Sequence, residues 1–118
     1  MNIFPVRCKG DEVLKYIFPS KQEGVHRAIE KAREILGINC LIVFGSAVTY
    51  DCGIGSDIDF AVDAPEITDE EDFLKLIKPL RKVIGGKADL LHLNSIKNDI
   101  LINEITEKGV KVYESRIQ

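Results

Sequence analysis

Asp57 and Asp59 stand two residues apart in SDIDFAV, a stretch that otherwise reads as a buried strand. Aspartate is poorly suited to strand interiors, and residues at i and i+2 project from the same face of a sheet. Two carboxylates therefore leave one face about 7 Å apart, while Ile58 and Phe60 anchor the strand in a core. Their mutual repulsion is costly beside such a core, and a bound divalent cation removes that cost. Hard oxygen ligands suit magnesium, which takes one or two protein carboxylates and completes its octahedron with water and substrate phosphates. Asp89 is placed in the same way, an acid among Ala88, Leu90 and Leu91 in ADLLHL. If its strand lies beside the first, a third carboxylate comes within about 5 Å of the pair. Gly45-Ser46 follows a buried apolar run, CLIVF. Glycine there lets the backbone approach a ligand closely, and exposed N–H groups with a hydroxyl can hold phosphate oxygens. A metal-bound phosphate beside a phosphate cradle describes a nucleoside triphosphate site.

The elements that must position these residues follow from periodicity and capping. Ser20 with Glu23 makes a capping box, and Val25, Ala28, Ile29, Ala32, Ile35 and Leu36 follow at helical spacing. That pattern predicts an amphipathic helix stopped by Gly37. Cys40 to Phe44 suits a strand buried on both faces, and Asp57 to Val62 a second strand after a connection containing Gly53 and Gly55. Pro65 ends it. Thr68 with Glu71 then opens a second helix bearing Phe73, Leu76, Ile77 and Leu80, which Pro79 is expected to kink or end near Lys78. Lys87 to Leu93 reads as a third strand after Gly85-Gly86. Asn94 or Ser95 is expected to cap a helix bearing Ile96, Ile100, Leu101 and Ile105 that stops at Gly109. Val110 and Val112 alternate with Lys111 in a short final strand, and Asp11 to Phe18 has room for one or two helical turns before Pro19. Helices interleaved with strands imply an α/β (α+β) fold, a small mixed sheet with helices packed on it. Residues 1–19 read as an N-terminal extension and residues 20–118 as one domain.

Composition bounds the function. The chain has 118 residues, 45% hydrophobic and 30% charged, which suits one globular unit with a modest core. A formal net charge of −3 argues against broad phosphate-backbone binding, so nucleic acid is not expected except as an acceptor. Charged residues interleave with apolar ones from Met1 to Pro19, unlike a signal peptide, and no apolar run approaches the ~20 residues that cross a bilayer. A cytoplasmic protein is expected. Cys8, Cys40 and Cys52 are odd in number and widely spaced, as reduced thiols would be. Lys75, Lys78, Arg81, Lys82 and Lys87 gather around the second helix and its exit, either as a solvated face or as a patch for RNA or an acidic protein. His26 lies on a helix, and His92 lies on the strand face opposite Asp89 by alternation; neither has neighbours that suggest catalysis. Tyr50 and Cys52 are expected at the rim of the pocket.

Gly45-Ser46, ten intervening residues and then Asp57-Ile58-Asp59 resemble the signature of the minimal nucleotidyltransferases, small members of the polymerase-β-like nucleotidyltransferase superfamily. The likeness continues through the acid of ADLLHL into ITEKGVKVY. By that resemblance the fold is the nucleotidyltransferase fold. Gly45 and Ser46 would hold the β- and γ-phosphates of ATP, with Ser56 either a further phosphate contact or a turn serine. Asp57 and Asp59 would bridge two magnesium ions, and Asp89 would ligate one and help activate the incoming hydroxyl. The implied reaction is attack of that hydroxyl on the α-phosphorus in line with departing pyrophosphate. Many members carry arginines just after the Gly-Ser, where this chain has Ala47, Val48, Thr49 and Tyr50. The resemblance further implies an all-helical HEPN protein as partner, whose tyrosine receives AMP in the antitoxin version of the pair. Two other functions fit the same residues. A non-catalytic subunit would silence a partner by occlusion, and a small-molecule transferase would complete its acceptor pocket with a second copy in a homodimer.

Overall fold

The computed structural model describes residue 17 and residues 21–45, 58–85 and 88–115. Its centre is strand β1 (Cys40–Phe44), buried along its whole length as an apolar run with both faces covered should be. β2 (Ile58–Asp63) pairs antiparallel with β1, β3 (Ala88–His92) pairs parallel with β2, and β4 (Val110–Glu114) pairs antiparallel with β1 from the other side. The sheet order is β3-β2-β1-β4. Phe44, Ile58, Ala88 and Val110 thus lie toward one edge of the sheet, called upper here, and Cys40, Asp63, His92 and Glu114 toward the lower. This mixed sheet with helices on it is the architecture the sequence pattern predicts.

Alternation divides the strands between two cores. Leu41, Val43, Ile58, Phe60 and Val62 point to the back face, against α1 (Gln22–Ala32) and α2 (Glu70–Ile84). Ile17 is buried in the same cluster, and its carbonyl accepts from Gln22 Nε2 at 3.0 Å. Cys40, Ile42, Phe44 and Ala61 point to the front face, against Ile105 of α3 (Asp99–Lys108). A parallel pair needs a crossover, and α2 supplies it between β2 and β3. α3 starts beyond the lower end of β3 and ends at Gly109, beside the upper end of β4. It therefore crosses the front face diagonally. Among the described residues no helix covers the front of β2 and β3 at their upper ends.

α3 stops at Gly109 as expected, while each helix departs from expectation at one end or more, for reasons visible in its local hydrogen bonds. α1 stops at Ala32 rather than running to Gly37: Glu34 N–H donates to Lys31 O and Ile35 N–H to Ala32 O, tighter i→i−3 bonds that close the helix early. Gly37, with φ of 101°, serves the turn into β1, and Leu36 is left 82% exposed. The predicted cap Ser20 lies outside the described residues. α2 is capped by Asp69, not Thr68; its carboxylate accepts from Glu71 N–H at 3.4 Å and adds negative charge where the helix dipole favours it. Pro79 does not end the helix, which runs on to Ile84 and the left-handed Gly85. The proline lies on the exposed side, where the Lys75 carbonyl it cannot pair is open to water, while Phe73, Ile77, Leu80 and Ile84 bury both halves of the helix. α3 is capped by Asn98, which accepts from Ile100 N–H at 2.9 Å and Leu101 N–H at 3.3 Å. Asn94 and Ser95 instead belong to a short 3-10 turn, Leu93–Ser95, where their side chains are bonded elsewhere. The segment 11–18 is described only at Ile17, so its predicted turns lie outside the described residues. No described helix is long and apolar enough to cross a membrane.

Because Pro79 sits mid-helix on the solvent side, replacing it should strengthen α2 without disturbing the core. Pro79→Ala is expected to raise the free energy of unfolding by about 1–3 kcal/mol in urea denaturation. An unchanged or lower midpoint would show that the proline is not a strained guest in this helix.

Candidate functional site

Asp59 and Asp89 are direct partners in the parallel β2–β3 ladder, so their side chains leave the same, front face from strands about 4.8 Å apart. Asp59 is half-buried and Asp89 exposed on the edge strand. The back-face residues Ile58, Phe60 and Leu90 hold both strands down, so the acids are carried by the core and project from a corner that no described helix covers. Phe44 of β1 pairs with Asp59 from the other side. Gly45, the next residue, has φ of 74°, and a Cβ placed there would come within 2.5 Å of Asp59 Oδ2. Glycine at this position is thus required twice over, for a left-handed backbone and for the room the carboxylate occupies.

Of the predicted site residues, Gly45, Asp59 and Asp89 are brought together. Ser46, Ser56 and Asp57 lie outside the described residues, as do Tyr50, Cys8 and Cys52. Two carboxylates in register on one open face are hard oxygen donors of the kind magnesium takes, and the bare backbone at Gly45 leaves space for a phosphate beside them. The donor set fits that ion. Among the described residues no group of three or more His, Cys, Asp or Glu side chains forms a cage, so the described site offers two of the three acids.

Of the remaining polar groups, some have structural partners and others are exposed. His92 points to the back face, opposite Asp89, as alternation predicts. Its ring stacks on Phe73 with centroids 4.5 Å apart, and its Nε2–H donates to Ala64 O at 2.9 Å. His26 is exposed on α1. Lys75, Lys78, Arg81 and Lys82 are exposed along α2, with Glu70, Glu71 and Asp72 in its first turn and Arg81 and Lys82 in its last, the order that suits the helix dipole; Lys87 lies outside the described residues. A cavity of about 260 Å³ opens behind the start of β2, lined by Lys21, Gly24, Arg27, Ile58 and Ile84. It lies on the far side of the strand from the acid pair, and Arg27 there pairs with Glu23 at 2.5 Å. At the lower edge the Cys40 thiol donates to Asp63 Oδ2 at 3.7 Å. Burial, and then the neighbouring Asp63 charge, push that thiol up to about 12. Local sequence signals missed Asn94, whose side chain reaches back to Asp63 and Ala64, because a contact across some thirty residues leaves no local periodicity.

Residues 26–118 match the family described as polymerase beta, nucleotidyltransferase. Protein adenylyltransferase MntA of Thermococcus cleftensis is 34% identical over 71 residues, 60% of this chain and 72% of that protein. A chain of the tri-AMPylated Shewanella oneidensis HEPN toxin complex with its MNT antitoxin superposes with a TM-score of 0.59 at 25% identity, covering 81% of this chain and 74% of that one. A toxin–antitoxin crystal structure with AMP-PNP shares the fold, with a TM-score of 0.60 at 21% identity over 80% of this chain and 73% of that one.

Two outcomes follow from the geometry. Gly45→Ala should lower stability by about 1–2 kcal/mol through its left-handed backbone, read by denaturant unfolding, and should displace the Asp59 carboxylate in a crystal structure. An alanine variant of full stability with Asp59 unmoved would remove the stated need for glycine. The raised Cys40 value has a fixed sign. The unfolded thiol loses its proton near 9 while the folded one keeps it to about 12, so this contribution is complete below pH 9 and is lost as pH rises from 9 to 12. Cys40→Ser should flatten that alkaline decline in a series of melts.

Proposed function

Because the chain belongs to the polymerase beta nucleotidyltransferase family, we propose that it transfers AMP from ATP to a hydroxyl of a HEPN-type toxin partner and so acts as the antitoxin of the pair. One observation carries the assignment of the site: Asp59 and Asp89 stand in register on the open corner of the sheet, with Gly45 against the Asp59 carboxylate. The names of the similar proteins, an adenylyltransferase and antitoxins bound to HEPN toxins, support the choice of acceptor.

In this reading Asp57, Asp59 and Asp89 are the ligands of two magnesium ions. The ions, when bound, neutralise charge on the attacking and departing oxygens. Gly45 and Ser46 bind the β- and γ-phosphates through backbone N–H groups and a hydroxyl, with Ser56 as a further phosphate contact. Asp89, on the exposed edge strand, faces the side from which an acceptor approaches and takes the proton of its hydroxyl. The acceptor oxygen bonds to the α-phosphorus as the bond from that phosphorus to the bridging oxygen breaks, and pyrophosphate leaves with that electron pair. The half-buried Asp59 is held by β1 on one side and β3 on the other, so it orients its site rather than exchanging protons. The reaction is placed in the cytoplasm, where ATP and magnesium are supplied.

The test uses the full chain, α-labelled ATP, magnesium and the cognate helical partner. Label is expected to move to the partner, and Asp57→Asn or Asp59→Asn to lower the rate at least about 100-fold, since even second-shell neighbours of metal ligands cost up to that much. A partner that is bound and silenced without acquiring label would replace transfer by occlusion.

A further inference from the structure

The lower ends of β2 and β3 are joined by side chains as well as by the ladder. Ala64, the residue after β2, is fully buried, and its N–H donates to Asn94 Oδ1 at 2.9 Å. Asn94 Nδ2 in turn donates to Asp63 Oδ1 at 2.9 Å. Ala64 O accepts from His92 Nε2–H at 2.9 Å as well as from Ile67 N–H at 3.2 Å. The His92 ring is fixed by its stack on Phe73 and by the Ser95 hydroxyl, 2.9 Å from Nδ1. A neutral ring protonated at Nε2 satisfies both of its nitrogens.

These bonds matter because the pattern of β3 does not by itself choose a register. β3 is an edge strand held along five residues, and only Leu90 in it is buried. A slip of one residue is forbidden, since it would turn Asp89 into the core and Leu90 out of it. A slip of two residues keeps every side chain on its own face, setting His92 or Ala88 where Leu90 sits, and carries Asp89 about 7 Å along from Asp59. Hydrophobic matching opposes that slip through Leu90, the one buried residue of β3. The clamp adds to that resistance, because a shifted Asn94 leaves the buried Ala64 N–H without its acceptor.

We propose that Asn94 and His92 are positioning residues for the acid pair, holding β3 in the one register that sets Asp89 beside Asp59. They touch neither acid and act through the strand that connects them. The proposal rests on the reading of Asp59 and Asp89 as ion ligands, so its test separates register from ion binding. Amide hydrogen exchange across residues 88–92 reads the register, and manganese binding followed by electron paramagnetic resonance reads the acid pair without turnover. Asn98→Ala, which removes the α3 cap, is the control for lost stability alone.

In the full chain below its melting range, Asn94→Ala should speed exchange at 88–92 about tenfold or more and weaken manganese binding about tenfold. Asn98→Ala should leave both near wild type. Unchanged exchange and affinity in Asn94→Ala, or equal changes in Asn98→Ala, would overturn the proposal. Wild-type protein that binds no manganese would overturn the ion-site reading itself, and the exchange result would then decide the clamp. Should Asn94→Ala fail to fold, Ser95→Ala, which only frees the His92 ring, is expected to shift both readings the same way by a smaller amount; no shift there counts against the clamp.

Discussion

Asp59 and Asp89 face the same way from neighbouring strands, and a sheet accepts two such charges side by side only where other contacts hold the strands together. The back face supplies those contacts. Phe60 and Val62 are fully buried between the sheet and the two helices behind it, and Leu90 ties the edge strand into the same cluster. Alternation then leaves the acids no choice of direction: with Ile58, Phe60 and Val62 inward, Asp59 must look outward. The electrostatic strain of the front is thus carried by apolar packing at the back, a division of labour that a strand achieves with its period of two and a helix cannot.

Among the described residues, the path of α3 leaves that front corner bare. The helix begins below β3 and ends above β4, so it covers Ile42, Phe44 and Ala61 but leaves the upper corner of β2 and β3 bare among the described residues. Asn98 and Gly109 set the two ends of this diagonal, one as the cap that starts it and the other as its stop. A longer helix would have to leave the sheet, and a shorter one would uncover Ile105, which is fully buried against β1. Access to the acids is therefore a property of where a helix on another part of the sheet begins and ends.

The strands were legible from residues alone, because their signal is local. β1 has the bounds that CLIVF implies, and the side of the sheet taken by Asp59, Asp89 and His92 follows from alternation. Helix ends were less legible: α1 stops at Ala32, short of Gly37, and α2 runs past Lys78 to Ile84, each more than a turn from its expected end. Thr68 and Asp69 are both acceptable caps by residue type, and the structure uses Asp69. Pro79 has the sequence mark of a stop, yet the burial of Leu80 and Ile84 beyond it outweighs one missing hydrogen bond. The sequence suits Gly45 to a phosphate, and the Asp59 carboxylate that a Cβ there would strike is visible only once β1 and β2 are paired. The bonds from His92 and Asn94 to Ala64 join segments about thirty residues apart and had no sequence signal at all.

In sheets whose strands all run one way, ligands gather at the carboxyl ends. Here β2 and β3 present their amino ends to the site, and β1, running against them, brings its carboxyl end to the same edge with Gly45. That reversal means the β1–β2 connection, residues 46–57, leaves from the site and returns to it. Both ends of that connection, Gly45 and Ile58, are therefore fixed by the same pairing of β1 with β2 that sets Asp59 beside Phe44.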